Sequence, residues 1–284
     1  MKSLVTKEKQ SISLIRSFAK KHGIFELCYS GGKDSDVILH LCKVAGVNFR
    51  PIYKSTTIDP PGTIKHVKDN HVEIRRPNMS FFDIVRKKGM PTRRARFCCS
   101  ILKEYPIMQA ACVGIRREES IRRAIRYKEP TICRVYSKSV RVEQLLPIIE
   151  WTNDDIFKYV IGENIQLHPL YYTDGVLHVG RRLGCIGCPL KSDCGKSDFL
   201  HYPKFFIQYM KAGAQYWVSH PFVRVHEKYE SFFHLAFADF FCHSYQHYVD
   251  SVYTMFDKLD VRTYMEEFFH VDLTGVQQIL DNSL

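Results

Sequence analysis

The sequence predicts an α/β fold, a parallel sheet with helices on both faces, plus a helical C-terminal region. Three observations predict it. Short apolar runs alternate with stretches of helical periodicity from residue 3 to about residue 161. A strand, the loop Ser30-Gly31-Gly32-Lys33-Asp34-Ser35 and a helix follow one another without a gap. After Phe199 the chain becomes dense in Phe, Tyr and His at helical spacing, with no Gly-Gly or Asn-Gly hairpin signal. Strands alternating with helices argue for a parallel sheet, because parallel neighbours need a crossover that is usually a helix. The expected division is an α/β domain over 1–198, carrying the glycine loop and a cysteine cluster, and a helical aromatic-rich region over 199–284.

The elements follow in order. Residues 3–22 read as a helix, with Leu4, Ile12, Leu14, Ile15 and Phe18 among Lys and Arg, and Gly23 at its end. Residues 24–29 form an apolar run read as a buried strand. From Asp34, Val37, Ile38, Leu41 and Val44 recur at helical spacing as far as Gly46. Residues 49–53 are the next strand, and a polar loop leads to a helix from about Pro61 to Asn70. Residues 72–74 are a third strand, and Ser80 caps a helix ending at Lys88. Residues 91–103 are basic and hold Cys98 and Cys99. A short strand over 110–114 precedes a helix over 117–127. Thr152 or Asn153 caps a helix over 154–161. The aromatic stripes beyond Phe199 read as core.

The bulk numbers set limits. The chain has 284 residues, 45% of them hydrophobic, enough for a sizeable core and too apolar for a disordered chain. No run of about 18 apolar residues exists, so no membrane span is expected. The N-terminal stretch from Met1 to Lys9 has no apolar segment, and a cytoplasmic location is expected. The formal net charge is +11, which draws nucleotides, sulfate, phosphate or nucleic acid. Arginine pairs such as Arg93-Arg94, Arg122-Arg123 and Arg181-Arg182 suit bidentate contacts to such anions. The ten cysteines should be reduced in that compartment. Cys28, Cys42, Cys112, Cys133 and Cys242 stand singly and are expected to be small buried hydrophobes.

The loop from Ser30 to Ser35 has the parts of a pyrophosphate site. Gly31 and Gly32 allow positive φ and close backbone approach to an anion. Successive N–H groups form a nest, and the helix start adds unsatisfied donors and a positive dipole end. Ser30 and Ser35 supply hydroxyls, and Lys33 supplies a cation. The spacing of a Walker A loop is absent.

Ser-Gly-Gly-Lys-Asp-Ser resembles the signature of the PP-loop superfamily, and within it the chain is most similar to the phosphoadenosine-phosphosulfate (PAPS) reductase family. Further segments carry the resemblance: residues 56–61, residues 96–103 ending in Lys103, residues 114–123 in the pattern Gly-x-Arg-x-x-Glu-Ser-x-x-Arg, residues 147–152 and residues 169–171. It runs from about Phe25 to Pro189. The resemblance implies a Rossmann-like sheet and an adenine nucleotide held by Ser30, Gly31, Gly32, Lys33, Asp34, Ser35, Thr57, Asp59, Lys103, Gly114, Arg116, Glu119, Ser120 and Arg123. Arg116 and Arg123 would face the anionic substituent. Glu119 would touch substrate or orient an arginine.

Cys185-Ile186-Gly187-Cys188 is a Cys-x-x-Cys turn that lets two thiolates hold one centre, zinc or an iron–sulfur cluster. Nearby Arg181, Arg182 and Lys191 favour thiolates. Cys98, Cys99 and Cys194 are the candidates for the remaining ligands. Similarity to the adenosine-phosphosulfate (APS) reductases implies a 4Fe-4S cluster on Cys98, Cys99, Cys185 and Cys188. Similarity to the DNA phosphorothioation sulfurtransferases implies Cys98, Cys185, Cys188 and Cys194. An iron–sulfur cluster is expected, with zinc as the rival.

One family feature is missing. The Glu-Cys-Gly-Leu-His segment carrying the nucleophile of sulfonucleotide reductases does not occur, and the last cysteine, Cys242, lies in an aromatic helical stretch. Three functions follow: adenine-nucleotide sulfur chemistry with another thiol source, ATP-dependent sulfur transfer to DNA or RNA, or a non-catalytic nucleotide-binding accessory protein with the aromatic tail as its partner surface. His178, His201, His220 and His234 have no metal-binding spacing and read as surface or core.

Overall fold

The structure, a computed structural model, describes residues 3–254 and 257–282. Met1 and Lys2 of the N-terminal stretch, residues 255–256 and the last two residues of the tail lie outside the described residues. The chain divides into two compact units. The first comprises Met1–Ser55, Asp59–Pro77 and Leu102–Gly184, and the second Thr56–Ile58, Asn78–Ile101 and Cys185–Leu284. The aromatic region from residue 199 thus folds with two earlier segments and with the Cys-x-x-Cys turn.

The first unit is built on a six-stranded sheet: β1 (Phe25–Tyr29), β2 (Phe49–Lys54), β3 (Glu73–Arg75), β4 (Ala110–Val113), β5 (Thr131–Val135) and β6 (Arg141–Leu145). The strand order is β3-β2-β1-β4-β6-β5. All neighbours run parallel except β5, which is antiparallel to β6. β1 is central, with Glu26 opposite Arg50 on one side and Ala111 on the other. The chain leaves β1 toward β2 and later returns to place β4 on the opposite side. That reversal puts a topological switch point at the carboxyl ends of β1 and β4, where open α/β sheets bind ligands.

The pleat explains the core. Phe25, Leu27 and Tyr29 share one face of β1, and all three are buried with Ile15 and Phe18 of the helix Leu4–His22 and Val37, Ile38 and Leu41 of the helix Lys33–Ala45. Tyr159 and Val160 of the helix Asn153–Gly162 join them. Caps set the ends. Ser3 accepts from Thr6 N, and Thr152 and Asp155 form a capping box.

β5 and β6 were not expected from the sequence. β5 alternates exposed and half-buried residues along its whole length, so it has no apolar run to read. Cys133 sits on it and is exposed, contrary to the expectation that it is a buried hydrophobe. Cys42 and Cys112 are buried as expected, and Cys28 and Cys242 are half-buried.

The second unit is helical. Phe81 of the helix Phe81–Lys88, Phe206, Tyr209 and Met210 of Pro203–Ser219, Phe240 of Phe232–Phe241 and Phe269 of Val261–Phe269 are all buried. The Phe206 and Phe269 rings lie 4.2 Å apart, and Phe199 lies 4.9 Å from Phe206. The aromatic stripes are therefore core. Among the described residues no helix is long and apolar enough to cross a membrane.

Candidate functional site

In the first unit, a cleft of about 360 Å³ opens at the switch point. Ser30, Gly32, Lys33, Asp34 and Ser35 line it from the β1 side, and Gly114 and Ile115 line it from the β4 side. Lys103, Glu119 and Arg123 line it as well, with Tyr171, Arg182 and Leu183.

The loop is braced from within. The Ser35 hydroxyl donates to Gly32 O at 2.7 Å and accepts from Ser30 N at 3.2 Å. Gly31 has φ +74°, the left-handed region that a side chain would strain. Lys33 N donates to the Tyr171 hydroxyl at 3.2 Å, which anchors the helix start. A Cβ on Gly114 would stand 3.4 Å from the Asp34 backbone, so the end of β4 and the loop are in direct contact. Lys33 Nζ lies 3.5 Å from Asp34, and burial lowers its pKa against the opposing pull of Asp34.

A buried network underlies the loop. Asp36 accepts from Tyr29 Oη and lies 3.1 Å from His66 Nε2. Burial pushes the Asp36 carboxyl up, while His66 and Tyr29 pull it down. His168 is fully buried, with Nε2 3.2 Å from Thr63 Oγ1, and burial lowers its pKa to about 4. The cleft floor holds a second network. Glu26 is 1% exposed and meets Lys54 Nζ at 2.7 Å. Its other oxygen accepts from Ile107 N at 3.0 Å and Met108 N at 3.3 Å. Cys28 lines the cleft, and its thiol donates to Glu26 at 3.4 Å. Burial, and then Glu26, pushes Cys28 up to about 12.

The residues named from the sequence fall into three groups. Ser30, Gly32, Lys33, Asp34, Ser35, Lys103, Gly114, Glu119 and Arg123 meet around the cleft. Gly31 completes the turn. Four others do different work. Arg116 is 1% exposed and outside the lining, its guanidinium donating to Asp34, Glu118, Asn153 and Trp151 O. Ser120 caps the helix Ile121–Arg126, and Asp59 accepts from Ser55 Oγ at 3.2 Å. Thr57 belongs to the second unit, with φ +64°, and its hydroxyl accepts from Phe81 N at 2.8 Å. Glu119 orients arginines: it accepts from Arg116 N at 3.0 Å, pairs with Arg123 and lies 3.6 Å from Arg182. Sequence reasoning missed Glu26, Lys54, Asp36, His66, His168 and Arg182 as parts of the site. The cluster Arg181-Arg182 was a usable signal for the last.

Cys98, Cys99, Cys185, Cys188 and Cys194 all belong to the second unit. Hydrogen bonding to Cys99 pushes the Cys98 thiol up, followed by burial and the nearby Cys99, Cys185 and Cys188. Cys185 Sγ donates to Thr56 Oγ1 at 3.6 Å, and Ile186 N donates to Ile58 O at 2.9 Å. The turn is tight. Gly187 has φ +65°, and a Cβ there would meet Phe199 at 2.4 Å. Gly195 has φ +85°, and its Cβ would meet Gly187 backbone at 2.8 Å, so Cys194 sits on the adjacent turn. Arg93 ties the segment down by donating to Pro189 O at 3.0 Å and Lys191 O at 2.5 Å. Among the described residues no three His, Cys, Asp or Glu side chains converge as a metal site. The donor set is nonetheless all thiol. Thiol donors bind a metal as thiolates, and an all-thiol set is the chemistry of zinc or an iron–sulfur centre.

A family model described as phosphoadenosine phosphosulfate reductase domain matches residues 25–191, in line with the span over which the sequence carries the resemblance. Similar sequences include an uncharacterized protein of Methanocaldococcus jannaschii, 28% identical over 201 residues, covering 64% of this chain and 40% of the relative. Sulfate adenylyltransferase subunit 2 of Shewanella frigidimarina is 25% identical over 199 residues, covering 58% of this chain and 66% of the relative. Among solved structures, phosphoadenylyl-sulfate reductase from Candida auris, in a phosphate complex, shares 14% identity with a TM-score of 0.45, covering 64% of this chain and 93% of that one. The chain spans 40% to 66% of the length of these curated relatives.

Proposed function

Since the chain belongs to the phosphoadenosine phosphosulfate reductase domain family, we propose that the cleft at the ends of β1 and β4 binds an adenine nucleotide and presents it for sulfur chemistry. The observation that carries this reading is the braced loop from Ser30 to Ser35 at the switch point, in a cleft that Lys33, Lys103, Arg123 and Arg182 also line. Loop backbone and helix start receive the diphosphate or phosphosulfate. The cations offset its charge, and Glu119 aims Arg123 and Arg182. The Glu26–Lys54 pair fixes the floor. Cys98, Cys99, Cys185 and Cys188 would hold an iron–sulfur cluster or zinc, with Cys194 the alternative fourth ligand. A cluster would supply electron or sulfur transfer, and zinc would make the cysteines structural.

A second reading, ATP-dependent sulfur transfer to DNA or RNA, draws support from the net charge of +11. The naming of one relative as a subunit supports a protein partner in either case.

Isothermal titration of PAPS, APS and ATP is expected to find at least one ligand. Lys33→Ala should weaken it about 10- to 100-fold, the loss of one charge-assisted contact. The melting temperature should stay within a few degrees. Wild-type affinity in that variant would remove the loop from the site. Anaerobically purified protein should contain about four irons and four sulfides per chain, or one zinc without sulfide. Cys185→Ser should lower that content. Protein free of metal, with every thiol open to a titrating reagent, would overturn the metal assignment while leaving the nucleotide site standing.

A further inference from the structure

The second unit has a cleft of its own, with a volume of about 810 Å³, inside the usual range for small-ligand sites. Asp239 lines it, on the helix Phe232–Phe241. That helix is otherwise almost wholly apolar, with six aromatic residues or alanines buried around the acid. Asp239 accepts no hydrogen bond and forms no ion pair among the described residues. Burial alone pushes its carboxyl up to about 7. Its field reaches two phenols, raising Tyr209 and Tyr229 after the effect of their own burial. A half-buried acid without a partner is costly, and such groups cluster where a ligand completes them.

The rest of the lining indicates what would complete it. Tyr229 and Tyr245 form an edge-to-face pair at 6.0 Å, and Phe240 and Phe241 continue the aromatic wall. Lys196 lines the same cleft with its ammonium 4.9 Å over the Phe241 ring. Arg94 is exposed, and its guanidinium has no partner among the described residues. Asp193 and Arg93 line the cleft as well, but Asp193 is taken up by Gly195 N and by Ser197, and Arg93 by Pro189 O and Lys191 O. The acceptor Asp239, the flat aromatic faces and the cations Arg94 and Lys196 call for a flat ligand that carries both a donor and an anion. A zwitterionic amino acid has the charges but not the flat face, and it leaves most of the volume empty.

We propose that this cleft binds a nucleotide whose base carries an exocyclic amine, with the amine donating to Asp239, the base against the aromatic wall and the phosphate at Arg94 and Lys196. Carboxylates accept from the cytosine amine, and bases stack on Tyr and Phe. The same chemistry is offered by a free nucleotide and by a single strand of nucleic acid. The site is separate from the loop of the first unit and stands or falls independently of it.

The test uses the whole chain carrying Lys33→Ala, which weakens the first site, at pH 8, where the acid is ionised and only accepts. CMP, UMP, oligo(dC) and oligo(dT) are titrated by calorimetry. CMP or oligo(dC) should bind at least tenfold more tightly than the uracil or thymine counterpart. Asp239→Leu should abolish that preference, and Arg94→Ala should weaken all the ligands that bind and reduce their salt dependence. Equal affinity for CMP and oligo(dC) identifies a free-nucleotide site, and a gain for the oligomer identifies a strand. Either supports the proposal. Absence of binding, equal affinity for the two bases, or unchanged selectivity in Asp239→Leu overturns it. If the leucine variant does not fold, Arg94→Ala decides alone: unchanged affinity overturns the proposal.

Discussion

Glu26→Ala is expected to destabilise the first unit by about 3–5 kcal/mol, the typical cost of breaking a buried ion pair from one side. Glu26 is 1% exposed and Lys54 is 9% exposed, and their charged atoms are 2.7 Å apart. Alanine would leave the Lys54 ammonium with Tyr105, whose O it reaches at 2.6 Å and whose ring lies 4.8 Å away, and strand the N–H groups of Ile107 and Met108. Lys54 would then be left as a buried charge without its carboxylate partner. The readout is urea unfolding followed by fluorescence. The chain has two tryptophans, so a Trp217→Phe background leaves Trp151, which is buried in the first unit, as the reporter. The double variant Glu26→Leu with Lys54→Met should recover much of the loss, because replacing both partners by apolar groups removes the stranded charge. A loss under 1 kcal/mol in Glu26→Ala would show that water or another group already serves Lys54. Cys28 reports on the same pair. Without the Glu26 charge beside it, the thiol should ionise more readily and react faster with a maleimide.

The origin of this pair also shows how far the sequence could be read. The apolar run around β1 was plain, and so were the glycine loop and the helix after it, because each is a local pattern with its own physical reason. Glu26 looked like a lone polar residue in that run. Its meaning comes from Lys54, 28 residues on, and from the loop at Ile107, which the parallel pairing of β1 with β2 on one side and with β4 on the other brings near. His66 and His168 escaped notice for the same cause: Asp36 and Thr63 explain them, and neither is at a motif spacing. β5 was missed because an edge strand with exposed alternate residues leaves no apolar run. The cysteines lay between these cases. The spacing of Cys185 and Cys188 announced a soft-donor centre, and the family resemblance, not spacing, grouped them with Cys98 and Cys99; the fold adds that Cys99, Cys185 and Cys188 all lie near enough to act on the Cys98 thiol.

Two arginines of one motif should separate cleanly. The family resemblance implies the same role for Arg116 and Arg123, facing an anion. Their surroundings differ. Arg116 is 1% exposed, donating to Asp34 at 2.6 Å, Asn153 at 2.8 Å, Glu118 at 3.1 Å and Trp151 O at 3.3 Å. It ties the start of the loop helix, through Asp34, to the cap of the helix Asn153–Gly162. Arg116→Ala should therefore cost about 3–5 kcal/mol of stability. Arg116→Lys should recover little, since a single ammonium cannot replace a planar fork serving four acceptors. Arg123 is the opposite case. Its side chain is 32% exposed, paired with Glu119, and it lines the cleft. Arg123 makes one half-buried ion pair, against the four acceptors that Arg116 serves, so Arg123→Ala should cost about 1 kcal/mol and move the unfolding midpoint little. Its nucleotide affinity should fall about tenfold, with weaker salt dependence, if the guanidinium meets the anion. Affinity is measured by calorimetry and stability by urea unfolding on the same preparations. The crossed outcome, a stable Arg116→Ala that binds poorly beside an unstable Arg123→Ala that binds well, would return Arg116 to the anion site and make Arg123 the structural member of the motif.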